Sequence, residues 1–195
     1  MILHAIVADA GTAAWAARNG ASVVQLRLKD VPTAQRVRVG RQVIAEVGEL
    51  AMIVLNDDLE AAQALGVAVH LGQDDPGVES ARRAGIPFGR SAGSPNQART
   101  AEAEGALYIG AGPVWETPSK ADAGPAIGLD GLSAICRAVG TPVVAIGGVD
   151  LTNAAACIAA GAAGVAVIRA VTELPRLRAA LDAAVEEAGT GGPGR

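Results

Sequence analysis

Three polar side chains alternate with apolar ones in the segment VQLRLKD (24–30). In an extended strand successive side chains point to opposite faces, so Gln25, Arg27 and Lys29 would share one face. An amide and two cations on the same face suit a ligand that carries phosphate groups. This segment is therefore a candidate wall of a binding pocket.

Carboxylates follow two other apolar segments. The first segment ends in Asn56 and is followed by Asp57 and Asp58, and the second is followed by Asp74 and Asp75. Carboxylates from neighbouring strands suit Mg2+, which keeps several waters and also binds phosphate oxygens. A second interpretation stays open, above all for Asp58 and Asp74, because an Asp after a strand is often the N-cap of the next helix.

Polar residues and glycines follow the later apolar segments as well: Ser91, Thr117, Ser119, Lys120, Gly147, Gly148, Ile168 and Arg169. Lys120 would join Arg27 and Lys29 in neutralising a polyphosphate. The pair Gly147-Gly148 would either expose backbone N–H groups to a phosphate or form only a tight turn. His4 and His70 lie within apolar segments and are interpreted as core histidines.

These residues need elements that bring them together, and the chain alternates short apolar segments with Ala-rich amphipathic ones eight times. The predicted strands are Leu3–Ala8, Ser22–Leu28, Met52–Asn56, Ala68–Leu71, Pro87–Arg90, Leu107–Ala111, Val143–Ile146 and Val165–Ile168. Predicted helices between them include Thr33–Val47, Leu59–Leu65, Ser94–Glu104, Leu129–Val139 and Leu151–Ala160. Strands alternating with helices predict a parallel sheet.

An α/β fold, a compact (β/α)8 TIM barrel, is the predicted architecture. The alternative is an open doubly wound sheet. Eight units match the barrel, and the lack of a Gly-x-Gly-x-x-Gly turn after the first strand weakens a dinucleotide-binding open sheet. The barrel is expected to be a single domain over residues 1–188, with residues 189–195 as a flexible tail. In such barrels the site lies at the carboxyl ends of the strands, where the candidates above would meet.

Composition narrows the function classes. The chain has 195 residues, half of them hydrophobic but only 2% aromatic, and a net charge of −4 with two cysteines. Without a basic segment or aromatics for stacking, a nucleic-acid partner is not expected. We expect no membrane span, no signal peptide, a cytoplasmic location and reduced thiols at Cys136 and Cys157.

The same strand ends carry a family resemblance over nearly the whole chain. It rests on VQLRLKD (24–30), LND (55–57), VHLGQDD (69–75), GRSAGS (89–94), YIGAGPVWETPSKADAG (108–124), VVAIGGV (143–149) and AGAAGVAVIRAV (160–171). On these motifs the chain resembles the thiamine phosphate synthase and thiazole tautomerase family. The resemblance implies a transferase that joins hydroxymethylpyrimidine diphosphate to a thiazole phosphate and releases pyrophosphate, with Mg2+ as cofactor.

By position, the resemblance also implies roles for individual residues. Asp57 and Asp75 would hold Mg2+, and Gln25 would bind the pyrimidine. The pyrophosphate would be contacted by Arg27, Lys29, Asn56, Ser91 and Lys120, of which Arg27, Lys29, Ser91 and Lys120 are the predicted catalytic set. The thiazole phosphate would be bound by Thr117, Ser119, Gly148, the backbone around Ile168, and Arg169. The ligands expected are thus phosphorylated small molecules, with a homodimer as a possible assembly.

The sequence departs from the family pattern at four positions, where the family usually has Glu for Leu28, Arg for Asp58, His for Gly93 and Ser for Arg169. A tautomerase is the nearest alternative, but its acid–base chemistry needs the Glu and the His, and neither Leu nor Gly transfers protons. A relative that binds thiamine phosphates without turnover is the second alternative. Arg169 would either hold the thiazole phosphate through its guanidinium or obstruct the site.

Overall fold

In a computed structural model, the described part of the chain covers residues 1–119 and 124–190, with side chains as far as residue 186. Its strands are β1 (Ile2–Val7), β2 (Val23–Leu26), β3 (Met52–Asn56), β4 (Ala68–Leu71), β5 (Phe88–Ala92), β6 (Tyr108–Ala111), β7 (Val143–Ile146) and β8 (Gly164–Val167). They pair in parallel in chain order, and β8 pairs with β1 to close the barrel. The predicted (β/α)8 barrel is confirmed.

The helices lie between consecutive strands. They are α1 (Ala10–Arg18), α2 (Thr33–Val47), α3 (Leu59–Leu65), α4 (Val78–Ala84), α5 (Pro95–Glu104), α6 (Gly128–Ala138), α7 (Ala154–Ala159) and α8 (Leu174–Thr190), with a 3-10 helix at Arg169–Glu173 before α8. Because α8 continues to Thr190, the first two residues of the predicted tail are helical. The rest of that tail lies outside the described residues.

The second strand is shorter than predicted. It was expected to reach Leu28, but its partner β1 stops at Val7, which pairs with Leu26. Only one further ladder bond follows, from the Arg27 N–H to the Val7 carbonyl at 2.8 Å. Arg27 and Lys29 therefore lie on a loop at the barrel rim and not within the strand.

Short polar residues and glycines set the helix ends. Asp9, Asp58 and Ser94 each cap a helix by accepting a hydrogen bond from a backbone N–H three residues ahead. Gly66 and Gly105 end α3 and α5 in the left-handed conformation, which a residue without Cβ adopts at little cost. The connections stay short, which is how 195 residues complete eight units.

Apolar packing forms two layers. The larger lies between the strands and the helices and includes the fully buried Leu55, Ile109 and Leu177. The smaller fills the barrel interior with side chains such as Ile6 and Val144. At the carboxyl ends of the strands the cavity lining is polar on β2 to β4, with Gln25, Asn56 and His70, and apolar at the ends of β7 and β8, with Ile146 and Ile168.

The structure also describes the helices and the cysteines on which two composition-based expectations depend. In the ranges that the structure describes, no helix is long and apolar enough to cross a bilayer. Cys136 and Cys157 are free thiols, on α6 and α7 respectively, and burial raises the pKa of each.

Candidate active site

A cavity of about 980 Å3 opens at the carboxyl ends of the strands. Twelve residues predicted from the sequence line it: Gln25, Arg27, Lys29, Asn56, Asp57, Asp75, Ser91, Thr117, Ser119, Gly148, Ile168 and Arg169. The remaining predicted residue, Lys120, lies outside the described residues. Side chains up to 144 positions apart in the chain, from Gln25 to Arg169, thus border one space.

Gln25 is the most deeply placed of the predicted polar residues. Only 2% of its surface is exposed, and its Nε2 donates a hydrogen bond of 2.6 Å to Oδ1 of Asn56 on the next strand. Arg27 is half-buried, and Lys29 is exposed at the rim. All three residues line the cavity, as their predicted shared face requires, but only Gln25 lies within β2.

The adjacent carboxylates of Asp57 and Asp58 face different surroundings. Asp57 has a φ of 62°, which is uncommon for a residue other than glycine, and its side chain is exposed in the cavity. Asp58 caps α3 and accepts hydrogen bonds from Thr33 and from Arg36. The capping alternative raised for Asp58 is therefore confirmed, whereas Asp57 points to the ligand space.

Hydrogen bonding to Asp58 outweighs the cost of its burial. Burial opposes ionisation of the carboxyl group, but the Ala61 N–H, the Thr33 hydroxyl and the Arg36 guanidinium together hold its pKa below the usual value. Asp58 is thus an ionised structural residue next to a candidate ligand residue.

Asp75 lies on the loop after β4, half-buried at the cavity edge. Its Oδ2 accepts a hydrogen bond of 2.6 Å from the Gly72 N–H in the same loop. Asp74, next to it, is exposed. Among the described residues no group of three or more His, Cys, Asp or Glu side chains is placed to hold a metal ion.

Sequence reasoning missed a polar cluster in the barrel interior, formed by His4, His70 and Tyr108. His70 is hydrogen-bonded as expected, but it lines the cavity: its Nδ1 lies 2.9 Å from the Tyr108 hydroxyl and its Nε2 3.0 Å from Ser91 Oγ. Strand alternation was the available signal, because Val69 and Leu71 on either side of His70 pack in the layer between strands and helices, so His70 faces the barrel interior.

Burial controls the protonation of this cluster. Desolvation and, to a smaller extent, the nearby His70 lower the pKa of His4 to about 3 against an opposing hydrogen bond with Gln25, so His4 is neutral. Burial raises the pKa of the Tyr108 hydroxyl, which stays protonated. The His4 ring lies edge-on to Tyr108 with centroids 5.4 Å apart, and Gly89 leaves room for the tyrosine ring, because a Cβ there would overlap it.

The far side of the cavity is formed by the loops after β6, β7 and β8. Gly147 and Gly148 have φ values of 92° and 68°, so the predicted tight turn is present. A Cβ on Gly148 would lie 2.7 Å from Cβ of Trp115, and this contact requires glycine. The turn also lines the cavity, and its role as a phosphate contact stays a prediction.

Arg169 begins the 3-10 helix after β8 and is exposed at the cavity edge. The pKa of Asp150, opposite it, is held low mainly by hydrogen bonds from Thr152, with the Arg169 charge contributing. Arg169 thus lies at the cavity edge, near enough to the Asp150 carboxylate for their charges to interact.

The arrangement suits electrostatic catalysis on charged ligands. Cations from the β2 loop and from Arg169 lie around the cavity, together with five carboxylates, including those of Asp57 and Asp75, and several neutral hydrogen-bonding groups. Fold and cavity together define a (β/α)8-barrel enzyme with a charged site at the carboxyl ends of its strands.

Comparisons with known proteins specify the family. The model of the family described as thiamine monophosphate synthase matches residues 7–171, and the chain belongs to this family. It is 45% identical over 170 residues to the thiamine-phosphate synthase of Roseiflexus sp. (strain RS-1), covering 85% of this chain and 72% of that protein. It is 44% identical over 160 residues to the thiamine-phosphate synthase of Moorella thermoacetica, covering 78% and 75%.

A solved structure agrees with this placement. The thiamine phosphate pyrophosphorylase from Pyrococcus furiosus superposes with a TM-score of 0.86 at 30% sequence identity, over 94% of this chain and 96% of that one. The family resemblance stated from the motifs is confirmed by these matches.

Proposed function

We propose that this chain is a thiamine phosphate synthase, which condenses hydroxymethylpyrimidine diphosphate with hydroxyethylthiazole phosphate. The bond between the pyrimidine methylene carbon and the diphosphate oxygen breaks, and the pyrophosphate leaves with the electron pair. The thiazole nitrogen then donates its lone pair to the resulting carbocation. The products are thiamine phosphate and pyrophosphate. One observation carries the proposal: the cavity of a family member is lined by every described residue for which the motifs predict a ligand contact.

This reaction demands stabilisation of a leaving pyrophosphate and needs no protein nucleophile. Arg27 and Lys29 supply positive charge from one side of the cavity, and Asn56 and Ser91 supply neutral contacts deeper in it. The assignment of Lys120 to the same leaving group stays a prediction, as does the catalytic set Arg27, Lys29, Ser91 and Lys120.

Mg2+ is the cofactor that we propose, and the donor set fits it. Mg2+ commonly binds through one or two carboxylates and completes its shell with waters and substrate phosphates. Asp57 and Asp75 offer two carboxylates on the cavity wall, and one oxygen of Asp75 is already fixed by the Gly72 N–H. When bound, the ion would neutralise charge that develops on the pyrophosphate.

The remaining candidate contacts, to the pyrimidine and to the thiazole phosphate, come from different sides of the cavity. Gln25 is the candidate for the pyrimidine, because it is buried and held by Asn56. For the thiazole phosphate the candidates are on the opposite side: Thr117, Ser119, Gly148, Ile168 and Arg169. Separate ends of one cavity would thus receive the two substrates.

The tautomerase alternative lacks support from the two positions it needs. Leu28 packs against the apolar core, and the Gly93 N–H donates to Oε1 of Gln97. Neither position offers a group that accepts or delivers a proton.

The test is to incubate the purified chain with both substrates and to measure thiamine phosphate and pyrophosphate. We expect equimolar formation of both with Mg2+ and none with a chelator. Binding of both substrates without pyrophosphate release would favour the non-catalytic relative, and isomerisation of the thiazole carboxylate alone would favour the tautomerase. The cytoplasmic location and the homodimer stay predictions, and light scattering in solution would decide the second.

A further inference from the structure

Arg90 lies on β5 next to Ser91 but on the opposite face of the strand, because successive side chains alternate. Ser91 lines the cavity, whereas the Arg90 side chain reaches the loop after β4, residues 72–75, which carries Asp75. Only 13% of the Arg90 side chain is exposed. A nearly buried guanidinium beside the cavity thus has a function other than direct ligand contact.

The guanidinium holds this loop by its backbone. Nη1 donates to the carbonyls of Gly72 and Asp75, the latter at 3.4 Å, and Nη2 donates to the Gln73 carbonyl at 3.0 Å. Nε is directed to Oε2 of Glu104 at 3.2 Å, an ion pair that fixes the guanidinium plane. A planar group with several donors can hold three carbonyls at once, which a lysine ammonium cannot do with the same geometry.

A second contact holds the same loop from α5. Nε2 of Gln97 donates to Oε1 of Gln73 at 2.8 Å, and Oε1 of Gln97 accepts from the Gly93 N–H at 2.8 Å. Inside the loop, the Gly72 N–H holds the Asp75 carboxylate. The chain of contacts therefore runs from Arg90 to the carbonyl of Gly72, and from the N–H of the same residue to Oδ2 of Asp75.

We infer that Arg90 is the positioning residue for Asp75 and that it sets the affinity of the site for Mg2+. The inference rests on the proposed function, in which Asp75 holds the metal. Partners that orient metal ligands change metal affinity or activity by about 10- to 100-fold when they are removed.

The test compares Arg90→Lys with the matched control Arg99→Lys, which changes an exposed arginine on α5 outside the cavity lining. The first measurement is the Mg2+ concentration that gives half-maximal pyrophosphate release with both substrates saturating. We expect it to rise about 10-fold or more in Arg90→Lys and to stay unchanged in Arg99→Lys.

The second measurement needs no turnover. The melting temperature of each protein is recorded with inorganic pyrophosphate alone and with pyrophosphate plus Mg2+, because a ligand bound only by the folded state raises it. We expect the increment due to Mg2+ to shrink in Arg90→Lys, whatever the melting temperature without Mg2+. If this variant fails to fold, Gln97→Leu, which releases the loop from α5 only, should shift both measurements in the same direction.

Two outcomes would overturn the inference. One is a Mg2+ requirement and a melting increment in Arg90→Lys within twofold of the wild type. The other is a uniform loss of rate at an unchanged Mg2+ requirement, which would make Arg90 a purely structural residue. If the wild-type chain releases no pyrophosphate, the proposed function has failed, and the melting increments still decide the role of Arg90.

Discussion

The carboxylate of Asp75 accepts a 2.6 Å hydrogen bond from the N–H of Gly72, three residues earlier in the same loop. This bond fixes one carboxylate oxygen and leaves the other for a ligand in the cavity. The neighbouring Asp74 has no comparable bond among the described contacts and is exposed. Two consecutive acidic residues therefore offer a direct comparison between a candidate metal ligand and a solvated carboxylate.

We predict that Asp75→Asn lowers turnover by about 100-fold or more while the protein stays folded, because the neutral amide keeps the shape but loses the charge that holds the metal. Asp74→Asn is the control and should retain near-normal turnover. Steady-state rates of pyrophosphate release, with circular dichroism to verify folding, provide the measurement. Near-normal turnover of Asp75→Asn would remove Asp75 from the metal role.

A different consequence is expected for Asp58, which caps α3 and pairs with Arg36 at 3.1 Å. Asp58→Ala should lower the free energy of unfolding by about 2 kcal/mol, the upper range for a lost N-cap, because it also leaves the Arg36 guanidinium without its carboxylate. Urea denaturation measures the change. The Mg2+ concentration that gives half-maximal pyrophosphate release should stay unchanged. An increase in that concentration would instead place Asp58 among the metal ligands.

The sequence allowed the barrel and most of the cavity to be predicted for one physical reason. Parallel strands that are buried on both faces have apolar sequences, so they can be recognised. In a parallel barrel the residues that follow each strand then lie at the same end of the molecule. The contact between His70 and Tyr108 could not be predicted in this way. The two residues are 38 positions apart, and their contact depends on the register of the strands that lie between them in the barrel. The role of Arg90 escaped for a similar reason, because it binds backbone carbonyls, which leave no signature in the sequence.

The pairing of His70 with Ser91 leads to a prediction about coupling. When the protonated Tyr108 hydroxyl donates to Nδ1 of His70, the Nε2–H donates to Ser91 Oγ, and the Ser91 hydroxyl proton is left for a ligand oxygen. Tyr108→Phe and Ser91→Ala should then each slow turnover. The double variant should raise the activation free energy by roughly 1 kcal/mol less than the sum of the two single variants, because both changes break the same hydrogen-bond network.

A double-mutant cycle on kcat/KM measures this coupling. The cycle of Tyr108→Phe with Thr117→Ala, on the opposite loop of the cavity, is the control and should be additive. Additive effects in the Ser91 cycle would show that Tyr108 and Ser91 act independently.

Arg169 stands where the family usually has Ser, and its guanidinium borders the cavity. We predict that Arg169→Ser raises the KM for the thiazole phosphate about 5- to 10-fold with little change in the KM for the pyrimidine diphosphate, because a charge-assisted hydrogen bond to phosphate is lost. Arg176→Ser, on α8 outside the cavity lining, is the control. A lowered KM in Arg169→Ser would show that the guanidinium obstructs the thiazole phosphate.

The buried His4 should make stability depend on pH. Desolvation, with a smaller contribution from His70, lowers its folded-state pKa from the ordinary 6.5 to about 3. Between these values the unfolded chain therefore binds a proton that the folded chain does not. The free energy of unfolding should therefore fall as the pH falls through this window, by about 1.4 kcal/mol per pH unit from this residue. The low-pKa carboxylates Asp9, Asp58 and Asp150 act in the same direction, but mainly below about pH 4.

Urea denaturation between pH 4.5 and 6 isolates the His4 contribution. In His4→Phe, which keeps an aromatic ring against Tyr108, the slope of unfolding free energy with pH should be smaller than in the wild type by nearly one proton. The chain has only two histidines, so the same measurement on His70→Asn reports the contribution of His70 to the pH dependence of the unfolding free energy. Equal slopes in wild type and His4→Phe would mean that His4 takes up its proton in the folded barrel, against the burial that the structure gives it.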